Sequence, residues 1–441
     1  DRFLIVDDVL LPLYKQFADL HRFERVIVFP FSGAPVATQA GDPHAGIPAI
    51  DDYEQLLRDA PPCDGYAAHD ENDPVAMCYT SGTTGRPKGV VYSHRSTVIH
   101  SLQAALPDHL GLSARDSVLP VTPMFHANAW GVPYAAVMLG AKLVFPGPHL
   151  HPDDLLDLMQ VEPPSLALGV PTIWLALIQL FEAHPGRWTL PQGLRSLVGG
   201  AAVPEALIRQ FAKHGVSVAQ GWGMTETSPL ASVFYRKPEL DPVLNDDQWF
   251  ARRALAGVKV PLVDMRIVGE DGSECAWNGT DVGELQVRGP YITGAYHDVP
   301  NDPDKFTADG WLRTGDVAAI DAWGYVRIAD RTKDLIKSGG EWISSVDLEN
   351  AIMGHPAVAE AAVIAVSHPK WTERPLAAVV LKPNQTLTAA ELRDFLAPKF
   401  ARWQIPDAFE FIDAIPRTST GKFWKVRLRE RFANWVWPDA S

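Results

Sequence analysis

Three cysteines are all that 441 residues contain, and Cys63, Cys78 and Cys275 form no Cys-x-x-Cys pair. This excludes a disulfide framework and a cysteine-based zinc site, and it points to a reducing compartment. Basic charge is scarce as well: 39 Lys and Arg stand against 53 Asp and Glu, a net charge of −14. Nucleic acid is held by basic surface, so it is set aside as the main partner, while a local basic pocket for a nucleotide is still allowed. Long apolar runs are missing too. The most apolar stretch, residues 129–145, carries Lys142 and two glycines and is too short to span a bilayer. No signal-peptide pattern is visible. The expectation is a cytoplasmic protein without a transmembrane segment, with peripheral membrane association left open. The chain starts with Asp1 rather than Met, so a missing N-terminal piece is expected.

What is present suits a globular enzyme: 46% hydrophobic and 21% charged residues, in a chain long enough for more than one domain. Short apolar runs alternate with helical patterns. Residues 3–6 and 25–29 read as strands around a helix at 10–20. Strands at 142–145, 165–168 and 196–198 are each followed by a helix, at 151–160, 171–183 and 204–214. Pro171 and Pro204 stand where a first helical turn tolerates proline. This alternation predicts an α/β fold with largely parallel sheets. Beyond residue 255, strands at 263–268, 283–287 and 325–328, separated by Asp-Gly and Asn-Gly turns, predict a small β-rich subdomain. Then comes the charged run Asp330-Arg-Thr-Lys-Asp, which from composition alone is a surface turn and by position could be a hinge. After it, a helix at 346–353, strands at 361–366 and 376–381, and a helix opened by the Thr388/Glu391 capping box make an α+β unit.

One stretch cannot be core. YTSGTTGRPKGV, residues 79–90, packs three glycines, four Ser and Thr hydroxyls and Lys88 between an apolar strand at 74–79 and a helix cap at Ser93. Glycines let backbone N–H groups converge, hydroxyls add donors and Lys88 adds charge, which together make an anion cradle. It does not fit the Walker A pattern. The alternative, a solvated Gly/Thr turn, leaves the density of donors unexplained.

This stretch resembles the phosphate-binding signature of the adenylate-forming (ANL) superfamily. The resemblance implies that Thr80, Ser81, Gly82, Thr83, Thr84, Gly85 and Lys88 hold the β- and γ-phosphates of ATP. Further signatures follow in order over nearly the whole chain. Gly199-Gly200-Ala201 resembles the adenine-contacting turn, and Gln220-Gly221-Trp222-Gly223-Met-Thr225-Glu226 the next motif, with Trp222 where the family usually has tyrosine. Either aromatic face can stack on adenine. Thr225 would contact phosphate and Glu226 would be the Mg²⁺ ligand, which needs only one or two carboxylates beside phosphate oxygens. Asp316 in Arg-Thr-Gly-Asp resembles the ribose-binding strand end, and Arg331 would reach the ribose too. Lys333 matches the pivot, and Gly339-Gly340-Glu341-Trp342 the loop of the thioester step. Lys422, near the C-terminus, matches the catalytic lysine. In Met-Phe-His126-Ala-Asn-Ala-Trp130, His126 and Trp130 match the acyl pocket, with Trp130 as gate; taken anonymously, both read as core residues.

The resemblance is strongest to bacterial medium- and long-chain fatty acyl-CoA synthetases. It implies an AMP-forming acid-CoA ligase that uses ATP, Mg²⁺ and CoA, acts on a small-molecule carboxylic acid, and forms a homodimer. A short sulfur acid, methylthio-propionate, is the second reading. An enzyme that loads a carrier protein is a third, a luciferase-like oxygenase a fourth, and a non-catalytic nucleotide module a fifth. The implied organisation is a large N-terminal domain of α/β layers with the β-rich subdomain at 1–329, a hinge at 330–335, and a small mobile α+β domain at 336–441. Family members carry on the order of 100 more residues at the front, so the first subdomain is expected to be incomplete.

Overall fold

The computed structural model describes residues 2–41, 48–63, 65–80, 87–299, 302–339, 341–418 and 421–437. Two compact units result, Asp1–His69 and Asp70–Ser441. In the first, Phe3–Asp7, Arg25–Phe29 and Ala49–Asp52 form a parallel sheet, and Asp52 caps the helix Tyr53–Asp59 by accepting from the Gln55 N–H. The helix expected at 10–20 is a correction. Only Leu11–Tyr14 is α-helical, flanked by 3₁₀ turns at Asp8–Leu10 and Ala18–Leu20, and none of these residues is buried. A helix this short without a buried face gains too little to propagate.

In the second unit the central sheet has the spatial order Val258–Lys259, Leu230–Val233, Ser217–Gly223, Arg195–Gly199, Leu166–Gly169, Ser117–Pro120, Lys142–Leu143. Its last five strands are parallel, and the first two run antiparallel to their neighbours. Helices Pro152–Val161, Pro171–Ala183 and Glu205–Ala212 provide the crossovers, as expected of parallel strands. Trp174, Leu177, Leu207 and Phe211 from these helices close one core against Leu119, Ala167 and Val198 of the sheet. An antiparallel sheet of Asp264–Val268, Gly283–Arg288, Leu312–Ile320 and Val326–Arg331 matches the predicted β-rich texture. The strand Pro74–Tyr79 exists and pairs with Gly89–Ser93, but it is not the buried strand the sequence suggests: Cys78 alone is buried. Ser93 caps the helix His94–Ala104 with a full capping box.

The C-terminal part builds a five-stranded sheet in which Thr372–Leu381 pairs with Val358–His368, Ile336–Ser338 and Ala408–Phe411. Helices Ser345–Met353 and Ala389–Leu396 cover it, and Leu348, Ile352, Leu392 and Leu396 fill the core beneath. The Thr388/Glu391 box forms as predicted. The surface-turn reading of the run at 330–334 holds for residues 332–334 and needs correction at its start. Asp330 and Arg331 end a strand, and Asp330 is buried, accepting from the N–H groups of Arg331 and Ser345. No helix among the described residues is long and apolar enough to cross a membrane.

Candidate active site

An open cleft of about 800 Å³ lies at the carboxyl ends of the central parallel strands, where α/β sheets place their ligands because the following loops diverge there. Lys88 enters from the 74–93 ribbon, Gly199 and Gly200 from the end of Arg195–Gly199, and Gly221 and Gly223 from the end of Ser217–Gly223. Thr225 and Glu226 follow on a 3₁₀ turn, and Arg331, Thr332 and Lys333 come from the end of Val326–Arg331. Lys422 reaches the same space from the far end of the chain. Thr80, His126 and Trp130 complete the set of expected residues that line it.

Two of the glycines have steric reasons. A Cβ on Gly223 would stand 1.9 Å from the Pro229 carbonyl oxygen. Gly200 has φ +82°, and a Cβ there would meet Lys422 Cε at 3.0 Å. Gly200→Ala is therefore both strained and obstructive. It should lower acyl-adenylate formation by about tenfold or more, given that a misplacement of about 1 Å can cost 10²-fold. Pyrophosphate exchange measures this, and a normal exchange rate would show that Lys422 does not need to pass so close.

Other expected residues stand elsewhere. Gln220 and Trp222 are buried on the opposite face of a strand whose Gly221 and Gly223 line the cleft, because side chains alternate along it. Gln220 accepts from the Val203 N–H, and the Trp222 indole donates to Asp316 Oδ2 at 2.8 Å. Asp316 is buried, and its other oxygen lies 3.2 Å from Arg331 Nε. Ala201 lines a neighbouring cavity that Met353, His355 and Gly421 also border. Gly339, Glu341 and Trp342 are outside the cleft, in the hairpin of Ile336–Ser338 with Glu341–Ile343, where Lys337 Nζ sits 4.5 Å over the Trp342 ring. Ser81, Gly82, Thr83, Thr84, Gly85 and Gly340 lie outside the described residues.

Electrostatics distinguish the groups that converge. Lys422 is pushed down to about 8 by burial and by Arg331, with Asp316 opposing. Its loop is tied down where Thr172 Oγ1 donates to the Gly421 carbonyl at 3.1 Å. His126 is pushed down to about 4 by burial and by Lys422, so it is a neutral imidazole at neutral pH. Burial also lowers Lys333. Glu226 is buried, and its Oε1 accepts from the Tyr296 hydroxyl at 2.7 Å.

Sequence reasoning missed several neighbours. Tyr296, Lys305 and His100 line the cleft, and Asp302 pairs with Lys88 at 3.0 Å. None belongs to a glycine-rich or otherwise marked motif. Also unforeseen is the backbone of the segment that carries His126 and Trp130: Ala127, Asn128, Ala129 and Trp130 have φ of 48°, 51°, 49° and 59°, and Gly131 follows at 70°. Left-handed backbone costs roughly 1–2 kcal/mol per non-glycine residue. Burial of Ala127 and Ala129 holds the turn, which faces Trp130 and His126 into the cleft. Of these four residues only Asn128 tolerates that conformation, so the sequence carries no signal for it.

Comparison with known proteins gives the family. Residues 31–297 match the family model described as AMP-binding enzyme, and residues 347–422 match its C-terminal domain. A long-chain-fatty-acid–CoA ligase of Thermus thermophilus is 50% identical over 84% of this chain and 71% of its own. A medium-chain-fatty-acid–CoA ligase of Ectopseudomonas oleovorans is 44% identical over 98% of this chain and 78% of its own. A 3-methylmercaptopropionyl-CoA ligase of Ruegeria lacuscaerulensis is 42% identical over 98% and 78%. Among solved structures, an anthranilate CoA ligase in complex with anthranoyl-AMP superposes with a TM-score of 0.81 at 25% identity, covering 98% of this chain and 78% of that one. The chain belongs to the AMP-binding enzyme family of the adenylate-forming superfamily and is an acid–thiol ligase.

Proposed function

We propose that the enzyme couples a medium- or long-chain fatty acid to CoA by way of an acyl-adenylate, in the cytoplasm and as a homodimer. The observation that carries this reading is the convergence of Lys88, Glu226, Arg331 and Lys422 in one cleft that His126, Trp130, Leu110, Leu197 and Leu230 also line. The same lining supplies cations for a polyphosphate and apolar side chains for an acyl chain.

A carboxylate is a poor acylating agent because its leaving group would be oxide. Its oxygen attacks the α-phosphorus of ATP, the bond to the bridging oxygen of the β-phosphate breaks, and pyrophosphate leaves in line. Protein catalysis of this step is mostly positioning and charge neutralisation. Lys422 bridges the carboxylate and the α-phosphate, and Lys88 screens the departing phosphates. Thr80 and Thr225 donate to phosphate oxygens, while Arg331, held by buried Asp316, orients the ribose. Neutral His126 lets the carboxylate pass without trapping it in an ion pair.

The donor set suits Mg²⁺ rather than a fully caged metal. Among the described residues no three His, Cys, Asp or Glu cluster, and one buried carboxylate faces the cleft. Glu226 would hold the ion, which supplies charge neutralisation on phosphate oxygens.

The thiol of CoA then attacks the acyl carbon and AMP leaves. Lys422 stands in the cleft and Gly339, Glu341 and Trp342 outside it, which suits the first step. Rotation of residues 336–441 about a hinge at 330–335 would exchange the two. Hinges of this kind are a few residues that absorb large φ/ψ changes.

A panel of acids from C3 to C18, including methylthio-propionate, tests the substrate. It is scored first for pyrophosphate release and then for the CoA thioester. The expected result is turnover rising from C3 into the C8–C16 range. The 42% identity to 3-methylmercaptopropionyl-CoA ligases favours the short sulfur acid as the second reading. Release with C3 acids alone would select it. Thioester formed on a carrier protein but not on free CoA would overturn both.

A further inference from the structure

Lys88 has an internal rival for its ligand. Its Nζ lies 3.0 Å from Asp302 Oδ2 and 4.8 Å above the Tyr296 ring, and Tyr296 in turn donates to Glu226. Asp302 is fixed by its own turn. Its Oδ1 accepts from the Asp304 N–H at 3.1 Å, and its carbonyl accepts from the N–H groups of Lys305 and Phe306 at 2.9 and 2.8 Å. The second oxygen is left aimed at Lys88. The pair is partly exposed, with side-chain accessibilities of 33% and 24%, so solvent screens it and a stronger anion can displace it. The hydrogen bond from Lys88 holds the Asp302 carboxyl below its ordinary range, which keeps it ionised at neutral pH.

We propose that Asp302 is a positioning residue for pyrophosphate release. It holds Lys88 when no phosphate is bound, yields it to the β- and γ-phosphates, and takes it back as pyrophosphate departs. This rests on the reading of Lys88 as a phosphate ligand. The physical argument is one of charge. A carboxylate beside a site for a polyanion raises the free energy of the bound product, and it offers the lysine an immediate replacement partner, so exit leaves no unpaired ammonium. The same carboxylate keeps the Lys88 ammonium over the Tyr296 face, ready for the next triphosphate.

The test uses the full chain with Mg²⁺. Pyrophosphate affinity is measured by calorimetry and its release by single-turnover kinetics, for Asp302→Asn, Asp302→Ser, Lys88→Gln and the Asn/Gln double variant. Asn and Ser both keep an acceptor for the Asp304 N–H while removing the charge. Asp302→Asn and Asp302→Ser are expected to bind pyrophosphate about tenfold more tightly and to release it correspondingly more slowly. In the Lys88→Gln background the Asn substitution should tighten binding by no more than about twofold. A purely structural role would move affinity the other way, because damage to the turn loosens binding. If Lys88→Gln weakens pyrophosphate binding but neither Asp302 variant tightens it, the proposal is overturned and the reading of Lys88 stands. If Lys88→Gln itself leaves binding unchanged, both fall.

Discussion

Replacing Lys422 with alanine is expected to lower acyl-adenylate formation by about 10²- to 10³-fold, the range seen when one donor to a developing charge is removed. The thioester step, started from supplied acyl-adenylate, should change by no more than about twofold. The asymmetry follows from geometry. Lys422 lines the cleft in this conformation and is placed there by the closeness of Gly200 and by the Thr172–Gly421 hydrogen bond. The rotation that admits CoA would carry it away. The pH profile gives a second reading of the same residue. Burial and Arg331 bring Lys422 down to about 8, so in the free enzyme it is charged below that pH and neutral above it. The kcat/KM for ATP in pyrophosphate exchange should therefore fall as pH rises through about 8, since kcat/KM reports ionisations of the free enzyme. The alanine variant should lose this limb. An alkaline limb that persists in Lys422→Ala would assign it to another group, and undiminished adenylation would remove Lys422 from the mechanism.

The second large effect is expected at Lys333, the proposed pivot. Lys333→Pro should reduce thioester formation by about 10²-fold or more, of the order that a lost alignment costs, while pyrophosphate exchange stays within about threefold of the parent. The local hydrogen bonds explain why the first step survives. The Thr332 N–H and Oγ1 donate to the Gly315 carbonyl, and the N–H groups of Asp334 and Leu335 donate to the Arg331 carbonyl. Among the described residues the Lys333 N–H donates to nothing, so proline removes no bond from this conformation. It does fix φ at residue 333 and narrow residue 332, which opposes the rotation. Lys333 also lines the cleft with its side chain, so Lys333→Ala is the necessary control. If alanine and proline variants lose the thioester step equally, the side chain is responsible and the pivot is elsewhere. Equal loss of both half-reactions in the proline variant alone would argue against rotation altogether.

Local patterns were legible wherever local physics sets them. The helix Pro171–Ala183 has the predicted bounds because proline opens it and an apolar face at helical spacing runs its length. The expected cap at Ser93 and the expected capping box at Thr388 form because each acceptor and donor lie within one turn of chain. Failures came where burial decides. Residues 10–20 have helical spacing but bury no face, and the exposed strand Pro74–Tyr79 has the apolarity of a core strand without its surroundings. Asp330 looks like a surface charge, yet it is buried among the N–H groups of Arg331 and Ser345.

The candidate site divides the same way. The glycines, hydroxyls and lysine of one loop by themselves pointed to a bound anion, while the nucleotide and the part of Lys422 came from the resemblance that the ordered motifs carry. Only the tertiary structure decided which named residues share a cleft. Strand alternation turns Gln220 and Trp222 away while Gly221 and Gly223 face in, and a left-handed turn at 127–130 aims Trp130. Asp302 comes to face Lys88 across 214 residues of sequence. Such pairings depend on how distant segments cross in space, and nothing in the local order of residues encodes a distance between them.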